Sequence, residues 1–147
     1  GMLDYRMTRA NVNLRVRAWI RHLALNAFAP PDAGRTSRCV TQEGVITFAP
    51  VDGARERLAE LLALYWAGLH RPLHFFPRTA CAYGEHGELS RAVRTVWEGG
   101  YDTDGERDDP YYTLAFRGLD PLDEAFEHAA RTVFAPMLEA MTEEVLE

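Results

Sequence analysis

The sequence predicts a helix-dominated α+β fold in a single domain spanning residues 1–147. Three observations carry this. The length of 147 residues fits one hydrophobic core of about 100–200 residues. Apolar positions recur at three- and four-residue spacing in four separate stretches. Between two of them lie two short β-branched and aromatic runs joined by Glu43-Gly44, which read as a small antiparallel hairpin. With 47% hydrophobic and 26% charged residues, the chain has the apolar mass to offset the entropy of ordering, which argues against disorder.

Each element has a local reason. From Thr8 to Phe28, Val12, Val16, Trp19, Ile20 and Leu23 gather on one arc of a helix, flanked by Arg9, Arg17 and Arg21 on one shoulder and Arg15 on the other. Pro30, Pro31, Asp32 and Gly34 stop it. The hairpin follows, Cys39 to Thr41 and Val45 to Phe48. Asp52 is placed to cap a well-buried helix over Gly53 to Gly68, with Leu58, Leu61, Leu62, Tyr65, Trp66 and Leu69 on its core face. Arg71 to Pro77 (RPLHFFP) reads as an extended segment or short edge strand, because Pro72 and Pro77 force the residues before them out of the helical region. At least one ring of Phe75-Phe76 belongs in the core.

A helix over Glu88 to Trp97, with Leu89, Ala92, Val93 and Val96 at helical spacing, ends at Gly99-Gly100. Asp120 and Pro121 read as cap and first residue of the last helix, with Leu122, Phe126, Ala129, Ala130, Val133 and Phe134 facing the core. Pro136 should kink that helix or split off the tail from Met137 to Leu146. The longest apolar stretch, Leu58 to Leu69, is too short to span a bilayer. Gly1 before Met2 reads as the scar of a cleaved tag. Cys39 and Cys81 read as reduced thiols of a cytoplasmic protein.

All sixteen cationic residues are arginine, and the net charge is −6. Residues 1–78 hold eleven Arg against six acids, and residues 79–147 five Arg against sixteen acids. This charge dipole suits nucleic acid or an acidic partner at one end and argues against DNA binding by the whole surface; accidental asymmetry of a solvated surface reads equally well. Arg9, Arg15, Arg17, Arg21, Arg71 and Arg78 are the candidate contacts to DNA or a partner. The alternative is that they pair with acids of the same or a partner chain.

Catalytic patterns fail one by one. The loop Asp102 to Asp109 alternates carboxylates, but counted from Asp102 its glycine, Gly105, is fourth rather than sixth, and Thr113 stands twelfth where a calcium loop needs Glu. Asp102 and Asp104 read as solvated. A magnesium nuclease wants an Asp and then Glu-x-Lys or Glu-x-Gln. The chain has no lysine, and its one glutamine, Gln42, precedes Glu43. Pro72 between His70 and His74 weakens a zinc site that could add Cys81. His22, His86 and His128 have no neighbouring Ser or Cys in a nucleophile setting, and no phosphate loop is present. No catalytic residue, metal or cofactor is expected.

The order of motifs is nonetheless specific. VITFAP (Val45 to Pro50), LYWAGLHRPLHFFPRTACAY (Leu64 to Tyr83), Trp97-Glu98-Gly99, GERDDPYYTLAFRG (Gly105 to Gly118) and the internal Phe134-Ala135-Pro136 together resemble the extreme C-terminal region of RecC, the gamma subunit of bacterial exodeoxyribonuclease V. The likeness covers roughly Val12 to Glu139. The family-like positions are Arg71, Pro72, Leu73, Phe76 and Pro77, then Gly105, Glu106, Asp108, Asp109, Pro110, Tyr111 and Tyr112.

The resemblance implies a place in the heterotrimeric helicase and nuclease that processes double-strand DNA ends for recombinational repair. There RecB and RecD supply the motors and RecB the nuclease. It also implies a degenerate restriction-endonuclease-like, PD-(D/E)XK fold stripped of catalytic residues. The expected function is a non-catalytic scaffold that docks on RecB and RecD and borders a DNA channel, touching DNA weakly and without sequence preference. The alternative is a standalone interaction module from a truncated gene with no DNA role. The likeness implies no role for Glu106, Asp108 or Asp109 beyond structure, with an Asp-Pro turn capping a helix that starts near Tyr111.

Overall fold

The structure, a computed structural model, describes residues 1–6, 8–30 and 32–145; Pro31 and Leu146, named above, lie outside them. It is mixed α+β and helix-dominated, with one small sheet. The chain divides into two compact units, Gly1–Ala63 with the segment from Pro136 on, and Leu64–Ala135.

The first unit is built on four strands, β1 (Met2–Tyr5), β2 (Ser37–Val40), β3 (Gly44–Phe48) and β4 (Met141–Val145), in the order β1-β2-β3-β4. The β2–β3 hairpin is the one expected, with Ser37 opposite Phe48 and Cys39 opposite Ile46. β1 pairs parallel to β2 and β4 antiparallel to β3, so both outer strands are recruited from distant sequence. A parallel pair needs a crossover. Here α1 (Val12–Phe28) supplies it. Asn11 caps α1 by accepting from the Leu14 amide at 2.9 Å, so the helix starts later than Thr8. Its buried side is Leu14, Ala18, Trp19, His22 and Leu23. Ile20, expected there, is exposed. His22 stacks on Phe48 with centroids 5.4 Å apart, and Trp19 meets the same ring tilted, at 5.6 Å.

Two helices run from one unit into the other. α2 (Ala54–Gly68) corrects the expectation of a well-buried helix: of its residues only Ala54 is fully buried. Leu58, Leu61, Leu64 and Ala67 are half-buried, whereas Leu62, Tyr65, Trp66 and, just past the helix, Leu69 are exposed. From Leu61 to Gly68 this helix carries no charged residue on any side, and it can turn only one side to its own chain. The side chosen is rotated by roughly a quarter turn from the one predicted. Gly53 accepts the first helical bond, from Arg57. Asp52 therefore lies one residue outside the helix and receives Arg35 at 3.2 Å.

α6 (Glu124–Ala140) continues past Pro136, which neither ends it nor splits off the tail. Its start is also later than expected, because Asp123 rather than Asp120 caps it, accepting from the amides of Ala125 at 3.0 Å and Phe126 at 3.1 Å. Proline removes one helical donor. Beyond it, Met137 is fully buried, and the Ala140 carbonyl accepts from the Ala49 amide at 2.9 Å, which ties the helix end to the residue just past β3.

The second unit holds α3 (Pro77–His86), α4 (Arg91–Glu98), a 3₁₀ turn (Glu106–Asp108) and α5 (Pro110–Ala115). α3 was not expected. Pro77 does force Phe76 to extended backbone, with φ −123° and ψ 106°, but it then occupies the first helical position, where its missing donor costs nothing. The Arg71–Phe76 segment forms no strand. Ser90 caps α4, so Glu88 lies before it, and Gly99 ends it as predicted. Asp109 caps α5 through the Tyr111 amide at 2.8 Å, as the Asp-Pro turn implied.

Candidate functional site

The core of the second unit is an aromatic cluster around Phe76. That fully buried ring meets Trp97 at 4.2 Å, Tyr112 at 5.0 Å, Phe116 at 5.3 Å and Phe126 at 6.0 Å between centroids. Phe75 is half-buried and stacks on Phe134 at 6.1 Å. The motifs RPLHFFP and GERDDPYY thus meet here, in one packed cluster.

Glu106 is the second link between them. Its buried carboxylate accepts from the Arg78 amide at 2.9 Å and from both the amide and the hydroxyl of Thr79 at 2.7 Å. These are amides of the first turn of α3, which have no partner inside the helix and sit at its positive end. Phe76, the residue at the cap position, has no side chain able to serve them. Asp108 closes the loop by accepting from the Gly105 amide at 2.9 Å. A β-carbon on Gly105 would lie 2.4 Å from the Trp97 carbonyl oxygen, so glycine is required where the motif passes the end of α4. Burial, with Glu106 and Asp109 nearby, pushes the Tyr112 hydroxyl up. The acidic motif is therefore a structural clasp whose carboxylates are committed to amides.

Three of the histidines are also committed. His22 is fully buried, with Nδ1 at 2.8 Å from the Ser37 hydroxyl and Nε2 at 2.9 Å from the Ala49 carbonyl. A carbonyl only accepts, so Nε2 carries the proton and Nδ1 receives the Ser37 O–H. The sequence reading gave His22 no serine neighbour; the fold supplies one from fifteen residues away. Both side chains are closed to solvent, so no substrate reaches the pair. Burial lowers the His22 pKa.

His74 meets Asp123 at 2.9 Å. Burial pushes the Asp123 carboxyl up, but the hydrogen bond from His74 and the amides of α6 outweigh it and hold the group below its ordinary range. His70 instead bonds the Trp66 carbonyl at 2.8 Å. Among the described residues, no group of three or more His, Cys, Asp or Glu side chains could hold a metal ion.

The six candidate arginines divide between the units. In the first, Arg9 pairs with Glu43 at 3.7 Å, Arg15 with Glu143 at 2.8 Å and Arg21 with Asp4 at 2.7 Å. Arg17 is exposed, with no partner among the described residues. In the second unit the side chains of Arg71 and Arg78 are exposed and also without a partner among the described residues. Three of the six are thus engaged by carboxylates of the same chain. Arg38 and Arg117, both exposed and unpartnered among the described residues, were not singled out from sequence.

One exposed feature is apolar. Along one side of α2 and its final turn, Leu62, Tyr65, Trp66 and Leu69 are 64, 65, 65 and 59% exposed. Single exposed apolar residues are ordinary, but four large ones at i, i+3, i+4 and i+7 form a contiguous patch of the kind that meets another protein. No helix of the described residues is long and apolar enough to cross a membrane.

Residues 1–88 match the family described as the RecC C-terminal domain. The match takes in VITFAP and the whole of Leu64 to Tyr83, while Trp97-Glu98-Gly99, GERDDPYY and Phe134-Ala135-Pro136 lie beyond it. No curated protein matches the chain significantly.

Proposed function

The chain belongs to the RecC C-terminal domain family, and from that premise we propose that it is a non-catalytic scaffold domain that docks on the RecB and RecD subunits and borders their DNA channel. The observation that carries the docking is the α2 stripe: four large apolar side chains left in water at i, i+3, i+4 and i+7 along one helix side. The absence of lysine from the sequence supports a pseudo-nuclease, because a two-acid-plus-lysine site cannot be assembled. The carboxylates of GERDDPYY, spent on capping, support the same reading. Descent from a PD-(D/E)XK nuclease fits the small mixed sheet with α1 packed on it. Arg17, Arg71 and Arg78, whose side chains have no partner among the described residues, support a weak phosphate contact.

The test is co-expression of the chain, within its parent subunit, with RecB and RecD. Leu62→Glu with Trp66→Glu should abolish co-purification without changing the thermal unfolding of the chain. Wild-type assembly by that double variant would remove α2 from the interface and the reading with it.

A further inference from the structure

The segment from Trp97 to Asp120 folds around an open cleft of about 490 Å³. Its floor is the outer side of the aromatic cluster, Trp97, Tyr112 and Phe116. Leu119, 70% exposed, stands on its rim, and Tyr111 and Leu114 of the adjoining α5 are 80 and 66% exposed. A preformed concavity with an apolar floor and large apolar side chains held in water beside it is suited to receiving an apolar anchor.

The electrostatics define what surrounds that anchor. Residues 94–120 hold seven carboxylates (Glu98, Asp102, Asp104, Glu106, Asp108, Asp109, Asp120) against three guanidiniums (Arg94, Arg107, Arg117). Arg94 is occupied by Asp120 at 3.3 Å, and Arg107 lies 4.0 Å from Asp108. Glu98 on the cleft wall is exposed, as are Asp102 and Asp104, and none of these three has a partner among the described residues. Phosphates approaching this wall would meet a surplus of carboxylates, whereas lysine or arginine would be drawn in. Arg117 is left to donate to a peptide carbonyl.

We propose that this cleft is a docking site for a polypeptide segment of a partner protein in which lysine or arginine residues flank one large apolar anchor. The anchor packs on the aromatic floor and Leu119, and the flanking cations meet Glu98 and the Asp102–Asp104 loop. The proposal uses residues distinct from the α2 stripe and does not depend on a DNA role.

Fluorescence anisotropy with the full chain tests it, using four labelled probes: a peptide of Arg/Lys around a Trp-Leu anchor, the same peptide with Glu for the cations, the same with Ser for the anchor, and a single-stranded oligonucleotide. The first should bind at least tenfold more tightly than the other three. Its affinity should fall about tenfold or more when ionic strength rises from about 0.05 M to about 0.5 M. Glu98→Gln with Leu119→Ser, both exposed and outside the clasp, should weaken it at least tenfold, and Leu62→Glu with Trp66→Glu on α2 should leave it unchanged. Absence of binding, equal binding of the acidic peptide or the oligonucleotide, or insensitivity to the Glu98/Leu119 pair would each overturn the proposal.

Discussion

Replacing Glu106 by alanine removes one carboxylate and leaves three donors of the first turn of α3 without an acceptor, two of them on the buried Thr79. Hydrogen bonds to a charged group contribute about 1.5–3 kcal/mol each, and a buried donor left unpaired costs about 1–3 kcal/mol. The three bonds share one carboxylate and are not additive, so the expected loss is about 3–5 kcal/mol, a large part of a typical total of about 5–15 kcal/mol. Glu106→Gln keeps one carbonyl acceptor but turns an NH₂ toward amide donors, and should cost about half as much. Urea unfolding followed by near-ultraviolet circular dichroism reads the rings around Phe76 directly. With a slope of about 1–3 kcal/mol per molar, the alanine variant should lower the midpoint by about 2 M. A loss below about 1 kcal/mol, or equal losses for alanine and glutamine, would refute the clasp as the anchor of α3.

Phe76→Ala empties the centre of the same cluster and should cost about 3–5 kcal/mol in the same unfolding experiment; under about 1 kcal/mol would mean that the ring is not packed as described. His22 predicts a pH dependence. Its pKa is lowered in the folded state, so the unfolded chain binds the extra proton first, and the stability due to the neutral ring is complete above the ordinary value of 6.5 and lost as pH falls below it. Melting temperatures should therefore drop on acidification from about pH 7.5 to about pH 5, and His22→Phe should flatten that part of the slope; an unchanged slope would contradict the assignment. Arg17→Glu should weaken non-specific DNA binding, expected no tighter than about 10⁻⁴ to 10⁻⁶ M, and shallow its salt dependence, while Arg21→Glu, whose partner is Asp4, should change it less. Equal effects in a salt titration would show that intrachain pairing does not decide which guanidiniums reach phosphate.

The elements legible in the sequence are those whose cause is local. The hairpin follows from two β-branched runs and a short turn, α1 and α4 from their apolar spacing, the end of α4 from Gly99 and the start of α5 from Asp109-Pro110. Each depends on contacts within a few residues, which spacing and cap chemistry encode directly. The absence of lysine, and with it of a nuclease motif, is likewise a property of composition.

Tertiary structure alone decided the rest, because those features depend on partners far away in the chain. Met2–Tyr5 becomes a strand by pairing with Ser37–Val40, and Met141–Val145 by pairing with Gly44–Phe48. Which side of α2 is buried could not be read from a wheel whose second half, Leu61 to Gly68, carries no charge on any side. α3 was hidden behind Pro77, and its missing cap comes from Glu106, more than twenty-five residues later. Whether Arg15 or Arg17 is the free cation was settled by Glu143, which β4 brings to Arg15 from the other end of the sequence. Charge and hydrophobicity are carried by single residues, but which of them are neutralised, capped or covered is set by approach in space, and approach follows from the fold.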